Sequence, residues 1–140
     1  MKRVLFICIH NSARSQMGEA YLKKLGGPQF EVESAGIEPG LLNPHVVKAL
    51  QEDGIDIRNK PTRSVFDLAT SGRSFDYVIA VCSKEAADRC PIFAGKGVRL
   101  HWPFPDPSTF VGSDEEIMAR VREVRNSIKK RVQEFVQEDR

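Results

Sequence analysis

The chain has 140 residues, of which 41% are hydrophobic, so we expect a single domain over residues 1–140 with a buried core. Its formal net charge of +2 and the lack of a stripe of aromatic and basic residues argue against nucleic acid or a membrane as a partner. The apolar run after Lys2 and Arg3 is broken at His10, before it reaches the length of a signal peptide or a membrane span, which predicts a cytoplasmic protein.

The first predicted element is a buried strand from Val4 to Ile9, because this run is apolar. Its end overlaps the segment Cys8-Ile9-His10-Asn11-Ser12-Ala13-Arg14-Ser15. A helix follows and ends at Gly26-Gly27-Pro28, with one apolar face formed by Met17, Ala20, Tyr21 and Leu25. Amide groups at such a strand-to-helix turn, the helix dipole and the guanidinium of Arg14 together favour a bound tetrahedral oxyanion.

This turn also predicts a reactive thiol at Cys8. Cysteines at helix starts and beside arginines commonly ionise at roughly pH 3.5–7.5, so we predict that Cys8 attacks a phosphate-like centre. Ser15 is placed to donate a hydrogen bond to the thiolate. The remaining loop residues are expected to bind the oxyanion or support the loop: Ile9, His10, Asn11, Ser12 and Ala13. The alternative is a buried strand-end thiol beside a surface arginine.

Beyond this helix, short apolar runs alternate with helical patterns, which is typical of an α/β domain. Phe30-Glu31-Val32 predicts the second strand, and Asn43-Pro44 predicts the start of the next helix. A short helix is expected around 64–69. Two further strands are expected at 77–81 and 98–100.

The last helix has the clearest pattern, because Ser113 and Glu116 form a capping-box pair ahead of an apolar stripe. With the strands, it predicts a four-stranded parallel sheet with helices on both faces. Ligands of such sheets bind beyond the carboxyl ends of the strands. Cys8 and Cys82 both end apolar strands, so we expect them at the same edge.

Cys82 and Cys90 remain as a possible redox pair, since reducing compartments favour reactive thiols over static disulfides. Their spacing is too long for a close pair of zinc ligands. Charged residues and Gly95-Lys96-Gly97 surround Cys90, which predicts a mobile segment that moves this thiol between buried and exposed positions. The alternative is two unrelated thiols.

The three histidines, His10, His45 and His101, show no metal-ligand spacing, so they are expected to be structural or solvent-facing, and no metal site is predicted. Asp106 lies between prolines in Pro103-Phe104-Pro105-Asp106-Pro107, which favours a fixed carboxyl group over a cleft. We predict that it is a general acid, since a leaving oxygen needs a proton. The alternative is a simple Asx-type turn.

These residues resemble the thioredoxin-coupled arsenate reductases, which share the low-molecular-weight tyrosine phosphatase fold. The resemblance spans nearly the whole chain. It depends on the run from Cys8 to Met17, on Glu33-Ser34-Ala35-Gly36-Ile37, on Cys82 with Cys90-Pro91, and on His101-Trp102 leading into Asp106-Pro107.

The resemblance implies a relay of three cysteines. Cys8 attacks arsenate held by the loop and Arg14, while Asp106 protonates the departing water. Cys82 then attacks Cys8 and releases arsenite, and Cys90 attacks Cys82, so that a Cys82–Cys90 disulfide remains for thioredoxin to reduce. The chain departs from better-studied members at His10, which replaces a frequent glycine, and in a Cys82 to Cys90 interval one residue longer than in some reductases.

Some relatives bind potassium through residues matching Asn11, Glu19 and Ser34. No clear acidic residue near Arg63 and Ser64 supplies their fourth ligand here, so potassium binding at these three residues is left open, and no tightly bound cofactor is expected.

Two other functions are compatible with the sequence. A low-molecular-weight protein tyrosine phosphatase would use the same thiolate, arginine and acid without Cys82 or Cys90. Relatives with that activity usually have a tyrosine after the Asp-Pro pair and a second cysteine in the loop, where this chain has Ser108 and Ala13. A nonenzymatic oxyanion binder or thiol redox sensor is the other. In each case a monomer is expected.

Overall fold

The computed structural model describes residues 1–95 and 97–138, and its centre is a parallel sheet of four strands in the order β2-β1-β3-β4. The strands are β1 (Lys2–Cys8), β2 (Phe30–Gly36), β3 (Tyr77–Ala80) and β4 (Val98–His101). All four predicted strands and their parallel arrangement are confirmed. The first strand ends at Cys8 rather than one residue later, so Ile9 belongs to the following loop.

In the described residues, five α-helices connect or follow the strands. They are α1 (Arg14–Gly26), α2 (Pro44–Glu52), α3 (Val65–Thr70), α4 (Lys84–Ala87) and α5 (Asp114–Glu138). The predicted caps are present: the Asn43 side chain accepts from the first amides of α2, and Ser113 and Glu116 bond reciprocally at the start of α5. No helix in residues 1–95 or 97–138 is long and apolar enough to cross a membrane.

The core lies on both sides of the central strand β1, whose residues from Val4 to Ile7 are fully buried. Helix α1 lies close over this strand, because a Cβ atom added to Gly18 would stand only 2.6 Å from Cδ1 of Phe6. On α1, Leu22 is fully buried, whereas Leu25, predicted for the apolar face, is half-buried. The tight contact between α1 and β1 fixes the end of β1 against the start of the helix.

The strand order places a crevice at the carboxyl end of β1. The connection from β1 to β2 runs in one direction along the sheet, and the connection from β3 to β4 runs in the other. Because such connections are right-handed, α1 and α4 lie on opposite faces of the sheet, as predicted. The loops after β1 and β3 therefore separate, and this is where parallel sheets bind ligands. Cys8 ends β1, and Cys82 lies two residues after the end of β3.

Candidate active site

Cys8 is followed by a tight turn, residues 8–14, which we call the Cys8 loop. Four of its carbonyl groups face outward and accept backbone hydrogen bonds from the segment 37–43. The pairs are Ile37 N to Cys8 O (3.1 Å), Glu38 N to Ile9 O (2.7 Å), Gly40 N to His10 O (3.0 Å) and Asn43 N to Ser12 O (2.9 Å). In a trans peptide the next N–H points away from the carbonyl. The amides of residues 9, 10, 11 and 13 are thus directed to the inner side of the loop, where an oxyanion can accept from them.

Gly36, at the end of β2, allows the Cys8 loop to pass close to the sheet. A Cβ atom at this position would lie 2.7 Å from the backbone N of Asn11 and 2.8 Å from the carbonyl carbon of His10. Both contacts are with backbone rather than with the ends of flexible side chains. Any larger residue at position 36 must therefore displace the loop.

A chain of hydrogen bonds ends on the sulfur of Cys8. The backbone N–H of Arg63 donates to Oδ1 of Asn11 (3.0 Å), which fixes the amide so that its Nδ2 donates to Oγ of Ser15 (2.8 Å). Ser15 Oγ lies 2.8 Å from Cys8 Sγ. Because this hydroxyl already accepts from Asn11, its own hydrogen is available to the sulfur, where it stabilises a thiolate. Asn11 has a φ of 54°, a left-handed conformation that asparagine tolerates.

Sequence reasoning did not single out two residues that support Asn11. Gln16, fully buried on α1, donates from Nε2 to the carbonyl oxygens of Asn11 (3.0 Å) and Pro61 (3.4 Å). The backbone of Arg63 holds the Asn11 amide. Gln16 stands close to Arg14, Ser15 and Glu19 in the sequence, so no apolar pattern around it could have indicated that it is buried.

Arg14 and Asp106 meet beside the loop. The guanidinium of Arg14 donates from Nη1 to the carbonyl oxygen of Phe104 (3.1 Å), and its Nη2 lies 3.5 Å from Oδ2 of Asp106. The other carboxyl oxygen, Oδ1, accepts from the backbone N and the hydroxyl of Ser108. Asp106 therefore makes the Asx-type turn and also faces the cation of the loop. These two interpretations of the sequence are compatible.

All three cysteines have free thiols and all are buried, with exposed fractions of 3% for Cys8, 0% for Cys82 and 8% for Cys90. The residues just before Cys8 and Cys82 are paired by a hydrogen bond from Val81 N to Ile7 O (2.9 Å). Burial raises the pKa of the Cys82 thiol to about 11; the nearby Cys8 and Cys90 add to this rise, and Arg14 opposes it. Cys82 is therefore a neutral thiol at neutral pH, within electrostatic reach of the other two.

The segment that bears Cys90 is joined to the rest of the site by an ion pair of Arg89. The Arg89 guanidinium donates to Oε2 of Glu38 (2.7 Å), which joins the residue before Cys90 to the segment that supports the Cys8 loop. Burial raises the pKa of Cys90, against the opposing effect of Arg99. The structure gives Cys90 a buried position; the exposed position remains a prediction. In the predicted mobile run Gly95-Lys96-Gly97, Lys96 lies outside the described residues.

The histidines make contacts with the backbone or with a surface carboxylate. His10 Nδ1 lies 2.8 Å from the carbonyl oxygen of Glu38, and His45 Nε2 lies 3.2 Å from Asp114 Oδ1. His101 Nε2 lies 2.7 Å from the carbonyl oxygen of Cys82, a contact that sequence reasoning missed. In the part of the chain that the structure describes, no group of three or more His, Cys, Asp or Glu side chains could hold a metal ion.

On α1, Glu19 is 1% exposed and makes three polar contacts. Ser34 Oγ donates to its Oε1 (2.5 Å), while Oε2 accepts from Nζ of Lys23 (2.5 Å) and of Lys60 (2.7 Å). Burial alone raises the pKa of Glu19, but the hydrogen bonds from Lys23, Lys60 and Ser34 together hold it below the usual value. Glu19 is therefore a buried carboxylate with its charge balanced by lysines.

Comparison with known proteins is consistent with this geometry. Residues 3–139 match the family of the low molecular weight phosphotyrosine protein phosphatase. A Bacillus subtilis protein named arsenate reductase is 41% identical over 136 residues, which cover 97% of this chain and 96% of that protein. A solved arsenate reductase in an oxidized state is 29% identical, with a TM-score of 0.80 over 99% of this chain and 98% of that one. A thioredoxin-dependent arsenate reductase of Corynebacterium glutamicum is 30% identical, with a TM-score of 0.64 over 95% of this chain and 62% of that one.

Proposed function

Because the chain belongs to the low molecular weight phosphotyrosine protein phosphatase family and is similar along its length to arsenate reductases, we propose that it reduces arsenate to arsenite. The observation that carries this proposal is the set of three free thiols around one oxyanion loop. Cys8 ends β1, Cys82 lies just beyond the neighbouring strand β3, and the residue before Cys90, Arg89, is joined to Glu38 in the segment that supports the Cys8 loop. A hydrolytic phosphatase has no use for the second and third thiols.

In the first step the Cys8 loop and Arg14 bind arsenate, and the Cys8 thiolate attacks arsenic. Ser15 stabilises the thiolate through its hydroxyl, at 2.8 Å from the sulfur. The As–O bond breaks, and Asp106 supplies the proton with which the oxygen leaves as water. The position of Asp106 beside Arg14 supports this role, since both groups then face the same bound anion. Arsenic is still pentavalent after this step.

In the second step Cys82 attacks the sulfur of Cys8. The electron pair of the S–As bond passes to arsenic, which leaves as trivalent arsenite, and the two sulfurs are oxidised to a Cys8–Cys82 disulfide. Cys82 must lose its proton before it attacks, because the thiolate is the nucleophile. Its raised pKa makes this deprotonation the demanding part of the step.

In the third step the Cys90 thiolate attacks Cys82, which frees the Cys8 thiolate and leaves a Cys82–Cys90 disulfide. A dithiol of thioredoxin then reduces this disulfide, and both thiols are restored. The thioredoxin-dependent relative supports this choice of reductant. Since a set of free thiols is typical of a reducing compartment, we also propose that the protein is cytoplasmic.

Arsenate-dependent consumption of reducing equivalents tests the proposal. Purified protein is supplied with thioredoxin and its reductase, or with glutathione and glutaredoxin, and NADPH oxidation is followed. We expect multiple turnover with thioredoxin for the unchanged protein, and none for Cys8→Ser, Cys82→Ser or Cys90→Ser. Equal turnover by all three variants would overturn the relay. Binding of arsenate without any turnover would instead indicate an oxyanion-binding protein or a redox sensor.

Hydrolysis of phosphate esters is the second candidate, and the match to a phosphatase family supports it. Cys8, Arg14 and Asp106 suffice for this chemistry through a cysteinyl phosphate, and Cys82 and Cys90 take no part. We therefore expect slow hydrolysis of an aryl phosphate as a side activity that survives Cys82→Ser and Cys90→Ser but not Cys8→Ser. Fast hydrolysis with no arsenate reduction would make the phosphatase the main function.

A further inference from the structure

The residues around Glu19 do not fit a bound potassium ion. A potassium ion held by Asn11, Glu19 and Ser34 would depend on the negative charge of the Glu19 carboxylate, whose first oxygen accepts from the Ser34 hydroxyl. The second oxygen of Glu19 already accepts from two ammonium groups. A potassium ion here would also meet the positive charge of Lys60 at short range, and the two would repel.

We propose that the ammonium group of Lys60 is the resident cation beside Glu19, and that it positions Asn11 for oxyanion binding without potassium. The proposal rests on the oxyanion binding that is part of the proposed function. Lys60 is a positioning residue, because it acts on the bound anion through the loop and not by contact.

The two lysines on Glu19 differ in what they connect. Lys23 lies one turn after Glu19 on the same helix, α1, and half of its side chain is exposed, at 53%. Its contact joins no separate parts of the fold. Lys60 is 23% exposed and lies in the segment before α3, so its ion pair with Glu19 joins that segment to α1. A mostly buried pair is screened less by salt than an exposed one.

The segment 60–63 then reaches the Cys8 loop at two points. The carbonyl oxygen of Pro61 accepts from Gln16, which also donates to the carbonyl oxygen of Asn11. The backbone N–H of Arg63 donates to the Asn11 side chain, and from there the hydrogen bonds continue to Ser15 and Cys8. The ion pair of Lys60 therefore fixes the segment that orients Asn11. Without a cation at this place, Glu19 would be a buried charge with only the exposed Lys23 as counter-ion.

The test compares the unchanged protein with Lys60→Ala and Lys23→Ala, in KCl and in choline chloride at equal ionic strength. The midpoint of thermal unfolding and the dissociation constant for inorganic phosphate are measured for each. We expect the unchanged protein to give the same two values in both salts. In choline chloride, Lys60→Ala should bind phosphate about tenfold more weakly, the scale for losing a group that orients a binding residue. KCl should restore much of that affinity, because potassium enters the space beside Glu19. Lys23→Ala should keep its affinity in both salts.

Three results would overturn the proposal. One is an unchanged protein that gains stability or phosphate affinity in KCl over choline chloride, since potassium would then bind beside Lys60. Another is a Lys60→Ala protein with the phosphate affinity of Lys23→Ala. The third is a loss in Lys60→Ala that KCl does not restore, which would indicate a structural role alone. If Lys60→Ala does not fold, Lys60→Met, which keeps the aliphatic stem, replaces it, and the salt comparison on the unchanged protein remains decisive.

The readouts also separate this proposal from the proposed function. Neither the unfolding midpoint nor phosphate binding requires arsenate reduction, so a failed salt comparison leaves the three-cysteine relay unaffected. A protein that binds no phosphate in any salt would instead contradict the oxyanion loop itself.

Discussion

The carboxyl group of Asp106 divides its two oxygens between two partners, Ser108 and Arg14. Oδ1 is held in the turn by Ser108, and Oδ2 lies 3.5 Å from Nη2 of Arg14. The turn thus fixes the carboxyl group while one oxygen stays directed at the loop. A fixed carboxyl group beside the oxyanion site is what proton transfer to a leaving oxygen requires.

Asp106→Asn is expected to preserve the turn with Ser108 but to remove the group that protonates the leaving oxygen. The asparagine oxygen can still accept from Ser108, but the side chain has no proton to give to the leaving water. We expect kcat for arsenate reduction to fall by about 10²–10⁴-fold. The measurement is steady-state turnover with thioredoxin, with phosphate binding as a check that the loop is intact. Unchanged kcat would remove Asp106 from the mechanism.

Gly36→Ala is expected to damage the loop, whereas Gly40→Ala is not. The new Cβ at position 36 would press on the backbone of Asn11 and His10, and overpacking of this kind costs about 1–3 kcal/mol. A Cβ atom at position 40 would have Cβ of His10 as its nearest atom, at 3.5 Å, which is an ordinary contact. The hydrogen bond from the backbone N–H at position 40 to the carbonyl oxygen of His10 would be kept.

Phosphate titration and thermal unfolding of both glycine variants test this expectation. Gly36→Ala should unfold at a lower temperature and bind phosphate more weakly than Gly40→Ala. Equal behaviour of the two variants would mean that the close approach of β2 does not shape the Cys8 loop.

Ser15→Ala is expected to make Cys8 less reactive. A hydrogen bond to a charged group is worth about 1.5–3 kcal/mol, so loss of the hydroxyl should slow alkylation of Cys8 at neutral pH by about tenfold or more. The measurement uses proteins in which Cys82 and Cys90 are replaced by serine, so that one thiol reacts. Ser71→Ala, which removes a hydroxyl bonded to Leu68 O, is the control. Equal rates would show that Ser15 does not act on the sulfur.

The attack of Cys82 on Cys8 is expected to accelerate with pH. Burial raises the pKa of Cys82 to about 11, so over the range from about pH 7 to 9 its thiolate fraction, and with it the rate, should rise about tenfold per pH unit. A Cys90→Ser protein carrying a coloured thiol on Cys8 reports this step directly, because attack by Cys82 releases the thiol. Cys82→Ser in the same protein should release none. A rate that does not change with pH would mean that Cys82 is already a thiolate at pH 7, which would contradict its raised pKa.

Local sequence patterns predicted the helices and strands and the position of the loop that begins at Cys8. The apolar run before Cys8 and the Asn43-Pro44 and Ser113/Glu116 caps are short-range signals, and the structure confirms the strands and helices that they indicate. The parallel sheet then follows from the alternation of strands and helices along the chain. Parallel pairing of β1 and β3 brings Cys8 and Cys82 to the carboxyl edge of this sheet.

The supporting contacts were not predictable in this way, because each joins residues far apart in the chain. Nothing near Lys60 indicates that its ammonium group meets Glu19, and nothing near Arg63 indicates that its backbone holds Asn11. The contact of His101 with the Cys82 carbonyl depends on the register of β3 and β4. Such contacts are set by packing, which a single sequence does not reveal.

Peptide mapping after one turnover tests the central claim most directly. Reduced protein is treated with arsenate in the absence of thioredoxin, the remaining thiols are alkylated, and the disulfides are located by mass spectrometry. The three-cysteine relay predicts one arsenite released per protein, a Cys82–Cys90 disulfide and an alkylated Cys8. Modification of Cys8 alone, with Cys82 and Cys90 both alkylated and no arsenite released, would contradict it.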